Sequence, residues 1–194
     1  MANKVRFGLE KVHIAFMDKA ATTLPAWEAP LPIPGAVRWT PEVVGDSTTF
    51  YADNNAYFVI TANNGYTAEL EMALIPNAIL ARMLGWEIDD NGMLVEVANG
   101  IGEKFALMGQ ILGDEFNGRF VYWDCQASRP TKELTTKGES VEVNTDVLPV
   151  VISPIEVDGR NIVKGDLEYS ATNATEYNAF FTDVYVPTFT VPTP

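Results

Sequence analysis

The run Tyr66 to Leu74 constrains this chain most. Tyr66, Ala68, Leu70, Met72 and Leu74 alternate with Thr67, Glu69, Glu71 and Ala73, the period of two that makes a β-strand with one dry face and one wet face. Asn63-Asn64-Gly65 precedes it. These residues tolerate positive φ, and they predict a hairpin turn back to the apolar stretch Tyr57 to Thr61. A strand with one dry face must pack against other strands or helices, so the pattern commits the chain to a layered fold with a large sheet.

The rest of the sequence supplies the partners. Val5, Phe7 and Leu9 alternate through a strand over Val5 to Ala15, and Ala36 to Val44 predicts another. Lys104 to Leu112 and Arg119 to Ala127 flank a Gly/Asp/Asn turn and predict a hairpin, while Val141 to Val157 carries β-branched residues that fit a strand pair. Asp89-Asp90-Asn91-Gly92 reads as a turn. Two short helices interrupt the strands. Pro76 opens one, whose stripe is Ile75, Ile79, Leu80, Met83 and Leu84, with Arg82 near its negative end and Gly85 to stop it. Asn173 and Glu176 resemble a capping box ahead of Tyr177, Phe180, Phe181 and Val184. Residues 45–55 read as a long, partly exposed loop, 131–140 as a mobile loop, and 186–194, with three prolines, as an extended tail. The expectation is a single domain over 1–194, mainly β, with one or two short flanking helices.

At 194 residues, such a chain buries roughly 70% of the surface exposed when unfolded. One cysteine, Cys125, allows no intrachain disulfide, and one thiol with one histidine gives too few soft ligands for structural zinc. No stretch approaches the roughly 20 apolar residues that span a bilayer, and Met1 to Gly8 lacks the pattern of a secretory signal, so neither a membrane nor export is expected. A net charge of −13 opposes adhesion to phosphate-rich partners. An acidic balance of this kind is also a common solubility device.

Templates for catalysis find little to hold. His13 and Cys125 would form a nucleophile and base only through tertiary contact, and His13 on an alternating strand is better read as structural. The nucleophile-elbow, phosphate-loop and dinucleotide-binding patterns are missing, and the Asp89 turn lacks calcium-loop spacing. No catalytic residue, metal or cofactor is expected. Trp39, Tyr51, Tyr66, Tyr122 and Trp123 are the residues from which a sugar-binding platform would be built, although aromatic residues on strands more commonly fill a core or interface.

Five segments, in this order and spacing, give the chain a family resemblance. They are Asn3-Lys4-Val5-Arg6-Phe7-Gly8-Leu9, Pro32-Ile33-Pro34-Gly35-Ala36-Val37, Phe50-Tyr51-Ala52-Asp53-Asn54, Tyr66-Thr67-Ala68-Glu69-Leu70-Glu71, and Val121 to Pro130. The chain resembles the major tail proteins, or tail tube proteins, of long-tailed siphovirus-type phages and prophages of Gram-positive bacteria. The resemblance implies a tail-tube β-sandwich or barrel whose copies close into hexameric rings. Stacked rings would form the conduit for DNA ejection, in a virion assembled in the host cytoplasm. It further implies a tape-measure protein, a tail terminator and distal tail proteins as partners, and DNA that passes without specific binding. On the same footing, the loop bearing Phe50, Tyr51 and Asp53 would bridge to the next ring, and Glu69 and Glu71 would face either the lumen or solvent, the lumen being the preferred reading.

The competing reading is a β-sandwich carbohydrate-binding or adhesin module. It would use the aromatic residues as a sugar site in place of a self-assembly surface.

Overall fold

The computed structural model describes residues 4–23, 25–45, 47–52, 55–114, 117–131 and 144–189, with the backbone alone described at 4–6, 47–52, 55–61 and 114. In chain order the strands are β1 (Lys4–Phe16), β2 (Leu31–Pro32), β3 (Ala36–Val43), β4 (Ser47–Ala52), β5 (Asn55–Thr61) and β6 (Tyr66–Met72). Helix α1 (Asn77–Leu84) follows, then β7 (Glu87–Ile88), β8 (Leu94–Val95), β9 (Phe105–Asp114) and β10 (Arg119–Ala127). The last part holds β11 (Asp146–Ile152), β12 (Ile155–Val157), β13 (Arg160–Ile162), β14 (Lys164–Leu167) and α2 (Ala174–Ala179).

One antiparallel sheet dominates, in the order β2-β1-β9-β10-β11-β6-β3, with β14 also paired to β10. Strand β10 is bonded to β14 along its first half and to β11 along its last residues, with β9 on its other side. Strand β3 at one end of the order returns into contact with β1 near the other, so the sheet curls into an open barrel. This is the mainly β, helix-flanked architecture that the alternation predicts.

The inner face of the curl is the main core. Ile14 and Phe16 of β1, Leu70 and Met72 of β6, Phe105 and Leu107 of β9, Phe120 and Tyr122 of β10, and Leu148 and Ile152 of β11 converge there. Burying each of these larger side chains contributes about 1.5–3 kcal/mol. Helix α1 plugs the end where Phe16, Phe105 and Met72 lie, inserting Met83 and Leu84 behind Ile75. Gly85 ends the helix at φ 69, as its position predicts. Arg82 spreads over the Phe16 ring, 3.8 Å from its centroid, and binds both Glu28 and Glu103.

Three local expectations change. Asn63-Asn64-Gly65 does not turn β5 back onto β6; β5 pairs with β4, and β6 lies between β3 and β11. The reason is a close approach: a side chain at Gly65 would meet the Ile152 carbonyl oxygen at 1.9 Å, so glycine there serves packing against β11. Within 45–55, Ser47–Ala52 form β4 and Asn55 starts β5 where an open loop was expected, with Asp46, Asp53 and Asn54 outside the described residues. No capping box forms at α2, because Asn173 Oδ1 accepts from the Ser170 amide and its Nδ2 donates to the Glu168 carbonyl.

The β-branched region divides into β11 and β12, which pair with β6 and β13, not with each other. The polar loop over 132–140 lies outside the described residues, as do 190–194 of the tail; residues 186–189 have no regular structure.

Candidate assembly surfaces

Strands β3 to β6 form one long hairpin. Beyond the Val43–Tyr66 pair, the Val44 amide donates to the Gly65 carbonyl at 3.0 Å and the Asn64 amide to the Val44 carbonyl at 2.9 Å. After a short break, Ser47 faces Thr61 and the ladder resumes as β4–β5. The β4–β5 ribbon is a sheet of its own, with no further strand bonded to it among the described residues. Its sequence is nonetheless rich in apolar and aromatic residues: Phe50-Tyr51 on one strand, Tyr57-Phe58-Val59-Ile60 on the other. Phe50 and Tyr51 therefore belong to a strand of a projecting arm, with Phe50 paired to Phe58 in register. A lone two-stranded ribbon is marginally stable in water, so an apolar one calls for cover.

The outer face of β3, β6 and β11 lies open to solvent. Glu42, Thr67 and Glu69 are exposed, and Val151 keeps 47% of its surface. The structure brings Glu69 and Glu71 together on this face, with Arg38 as a cross-strand partner. Arg38 Nε lies 3.1 Å from Glu71 and one of its terminal nitrogens 3.8 Å from Glu69. Thr145 Oγ1 also lies 2.8 Å from Glu71. Arg38 was not singled out from sequence, since its register against Glu71 depends on a bulge between Ala36 and Arg38.

The outer face of β1, β9 and β10 is covered by the chain from α2 onward. Phe180 is buried there, against Ala15, Ala106, Met108, Val121 and Trp123, with Phe181, Val184 and Tyr185 beside it. Polar ties hold this strap. Arg119 donates to the Tyr177 carbonyl and stacks on the Tyr177 and Phe181 rings, Trp123 Nε1 donates to the Tyr185 carbonyl at 2.8 Å, and Tyr177 Oη donates to the Asn117 carbonyl at 2.8 Å. None of these partners is near the other in sequence, so no local pattern marks Arg119.

At the end plugged by α1, apolar side chains remain uncovered. Leu74 is 69% exposed, Met93 64% and Ile101 84%, with Ile88 and Val95 on the small β7–β8 hairpin. Asp89 fixes that hairpin: its carboxylate accepts from the Met93 and Asn91 amides, bonds that hold its pKa below the ordinary aspartate value. Ile101 sits against Gly85 at the end of the helix.

The residues weighed for chemistry are not brought together. His13 stacks on Phe181 at 4.6 Å and its Nδ1 lies 2.8 Å from the Lys11 carbonyl, on the strap side of the sheet. Cys125 is wholly buried in the core on the other side, and burial pushes its thiol pKa far up. Among the described residues no group of three or more His, Cys, Asp or Glu side chains is arranged to hold a metal, and no helix is long and apolar enough to cross a membrane.

The aromatic residues do not share a platform either. Trp39 and Tyr66 meet Tyr122 edge-on, at 5.4 and 5.7 Å, whereas Trp123 points to the opposite face. Beside this cluster a cleft of about 510 Å³ opens between β1, β3 and β14, lined by Leu9, Trp39, Pro41, Phe120 and Lys164. Tyr51 lies on the ribbon, where the backbone alone is described.

A mainly β fold built on one large curled antiparallel sheet, like this one, recurs in a solved structure from a phage-like assembly. The structure titled as the tube-terminating cap of the anti-feeding prophage matches it with a TM-score of 0.50 at 9% identity, over 85% of this chain and 94% of that one. The sheath-tube complex of an extracellular contractile injection system gives a TM-score of 0.47 at 8% identity, over 82% and 89% of the two chains. The anti-feeding prophage baseplate gives 0.43 at 9% identity, over 81% and 93%. No protein-family model matches the sequence, and no curated protein matches it.

Proposed function

We propose that this chain is a non-catalytic structural subunit of a phage-type tail, whose copies close into rings, hexameric by family resemblance, that stack into the tube for DNA ejection. The observation that carries this reading is the arm: a two-stranded ribbon of apolar sequence to which no further strand bonds among the described residues, on a fold shared with a tube-terminating cap. Strands β2, β3 and β14 of the large sheet each have one bonded neighbour among the described residues, so its edges are open to pairing between copies. A head-to-tail contact whose rotation closes makes a ring, and the unlike faces of the ring then stack without limit. A tape-measure protein would set the length, and a tail terminator and distal tail proteins would end the tube. The siphovirus type, and a tail without a sheath, rest on the sequence resemblance.

The open face of β3, β6 and β11 is the lumen wall in this reading. Its described charges are Glu42, Glu69 and Glu71 against Arg38, an acidic excess that keeps phosphates from sticking. Negative-stain electron microscopy of the purified protein at rising concentration, with mass followed by light scattering, tests the proposal. Rings or hollow tubes of uniform width are the expected result; a monomer at every concentration, even with a tail-tip initiator added, would sink it.

A further inference from the structure

Asparagine precedes glycine at Asn64-Gly65, Asn91-Gly92, Asn99-Gly100 and Asn117-Gly118. This dipeptide is prone to lose its side-chain amide, because glycine has no β-carbon to shield its nitrogen from the Cγ of the asparagine before it. The reaction needs the glycine to swing about the asparagine backbone, so a fold that locks the glycine blocks it.

Three of these glycines are locked. The place of a β-carbon at Gly65 is taken by the Ile152 carbonyl oxygen, 1.9 Å away, and at Gly100 by the Gly85 carbonyl oxygen, 2.0 Å away. Gly118 is buried, its carbonyl accepts from the Ile111 amide at 2.8 Å, and the carbonyl of Asn117 accepts from Tyr177 Oη. Asn91 and Gly92 differ. Both are exposed at the tip of the β7–β8 hairpin, and nothing lies within 4 Å of the β-carbon position at Gly92. The Gly92 amide donates to the Asp89 carbonyl at 2.9 Å, but a solvent-exposed turn bond on so short a hairpin opens locally with ease.

We propose that Asn91 is a site of spontaneous covalent modification, where the folded chain converts with time to aspartate and isoaspartate. The inference is independent of the tube reading. The Gly92 amide nitrogen gives its proton to solvent and attacks Asn91 Cγ. The new N–Cγ bond forms as the Cγ–Nδ2 bond breaks, the side-chain nitrogen leaves as ammonia, and a cyclic imide results. Water then opens the ring at Cγ to give aspartate, or at the Asn91 backbone carbonyl to give isoaspartate, with the chain rerouted through the side chain. Either product adds a carboxylate to a hairpin that exposes Ile88 and Met93. Isoaspartate also inserts a backbone methylene between Asp89 and Met93, whose mutual bonds of 2.7 and 3.0 Å hold the hairpin. Ile88 and Met93 lie outside the main core, so the barrel should keep its stability.

The full chain, kept in mildly alkaline buffer, is sampled over time, digested and mapped by mass spectrometry, with isoaspartate detected by enzymatic methylation. Asn91 should lose its amide at least about tenfold faster than Asn64, Asn99 and Asn117, the ratio given by a difference in local opening of about 1.4 kcal/mol. In urea-unfolded chain the four should react at comparable rates. Folded protein in which Asn91 does not lead would overturn the inference, and so would an equal lead in the unfolded chain, which would assign it to sequence alone. Gly92→Ala should slow the loss in folded and unfolded chain alike; an unchanged rate would overturn the cyclic route.

Discussion

Arg119 grips Tyr177 twice: its guanidinium lies 3.7 Å from the centre of the Tyr177 ring, and its Nη1 donates to the backbone carbonyl of the same residue. Arg119 is almost wholly buried and also bonds Gln110 through Nε at 3.0 Å. One side chain thus joins β9, β10 and α2.

Arg119→Ala should destabilise the protein by about 2–4 kcal/mol, because a charge-assisted hydrogen bond and a desolvated cation–π contact vanish together. Limited proteolysis should then cut within 170–189 before the barrel opens. Equal protection of that segment in variant and wild type would show that the apolar contacts of Phe180 hold the strap unaided.

Glycine is needed at Gly85 for both space and backbone, and at Gly92 for backbone alone. A β-carbon at Gly85 would lie 2.5 Å from the Ile101 amide nitrogen, at a φ of 69; at Gly92, with φ 84, it would meet nothing within 4 Å. Urea unfolding should show Gly92→Ala costing about 1 kcal/mol from backbone strain alone, and Gly85→Ala distinctly more.

Glu28 is held below the ordinary value of 4.5 by its hydrogen bonds from Arg82. A carboxylate with a depressed folded-state pKa contributes stability above the unfolded value and loses it as pH falls through the folded one. Glu28→Gln should therefore lower stability near pH 7 by under about 1 kcal/mol, the range for an exposed pair. The difference should vanish as pH drops below 4.5 towards the folded value. Thermal melts at a series of pH values read it directly.

Cys125 should stay unmodified by a thiol reagent in the folded protein and react fully once denatured. Its solvent exposure is nil and burial disfavours the thiolate. The labelling rate under native conditions then reports global unfolding; fast labelling would show local opening at the end of β10.

Much of the fold was legible because alternation is local. Tyr66 to Met72 buries Ala68, Leu70 and Met72 as the spacing predicts, and the α1 stripe with Gly85 reads directly off the sequence. Pairing was less legible. Asn63-Asn64-Gly65 has hairpin chemistry, and Gly65 does take a positive φ of 99, yet the run sits at a break in a longer hairpin where the Ile152 carbonyl of β11 also requires glycine. The ribbon was hidden because the polar residues around 45–49 and 53–55 look like loop on both sides of a two-residue aromatic patch. Arg38, Arg119 and Arg82 take partners 33, 58 and 54 positions away, distances across which no local pattern carries information.

The continuity of the arm with the sheet has a mechanical meaning. Strand β6 is bonded along its length to β3 on one side and to β11 on the other. A pull on the ribbon along the strand direction therefore loads two ladders in shear, so that many hydrogen bonds must slide at once instead of parting one by one. The ribbon is anchored to a strand bonded on both sides, and tension applied there would pass into the sheet without peeling it open.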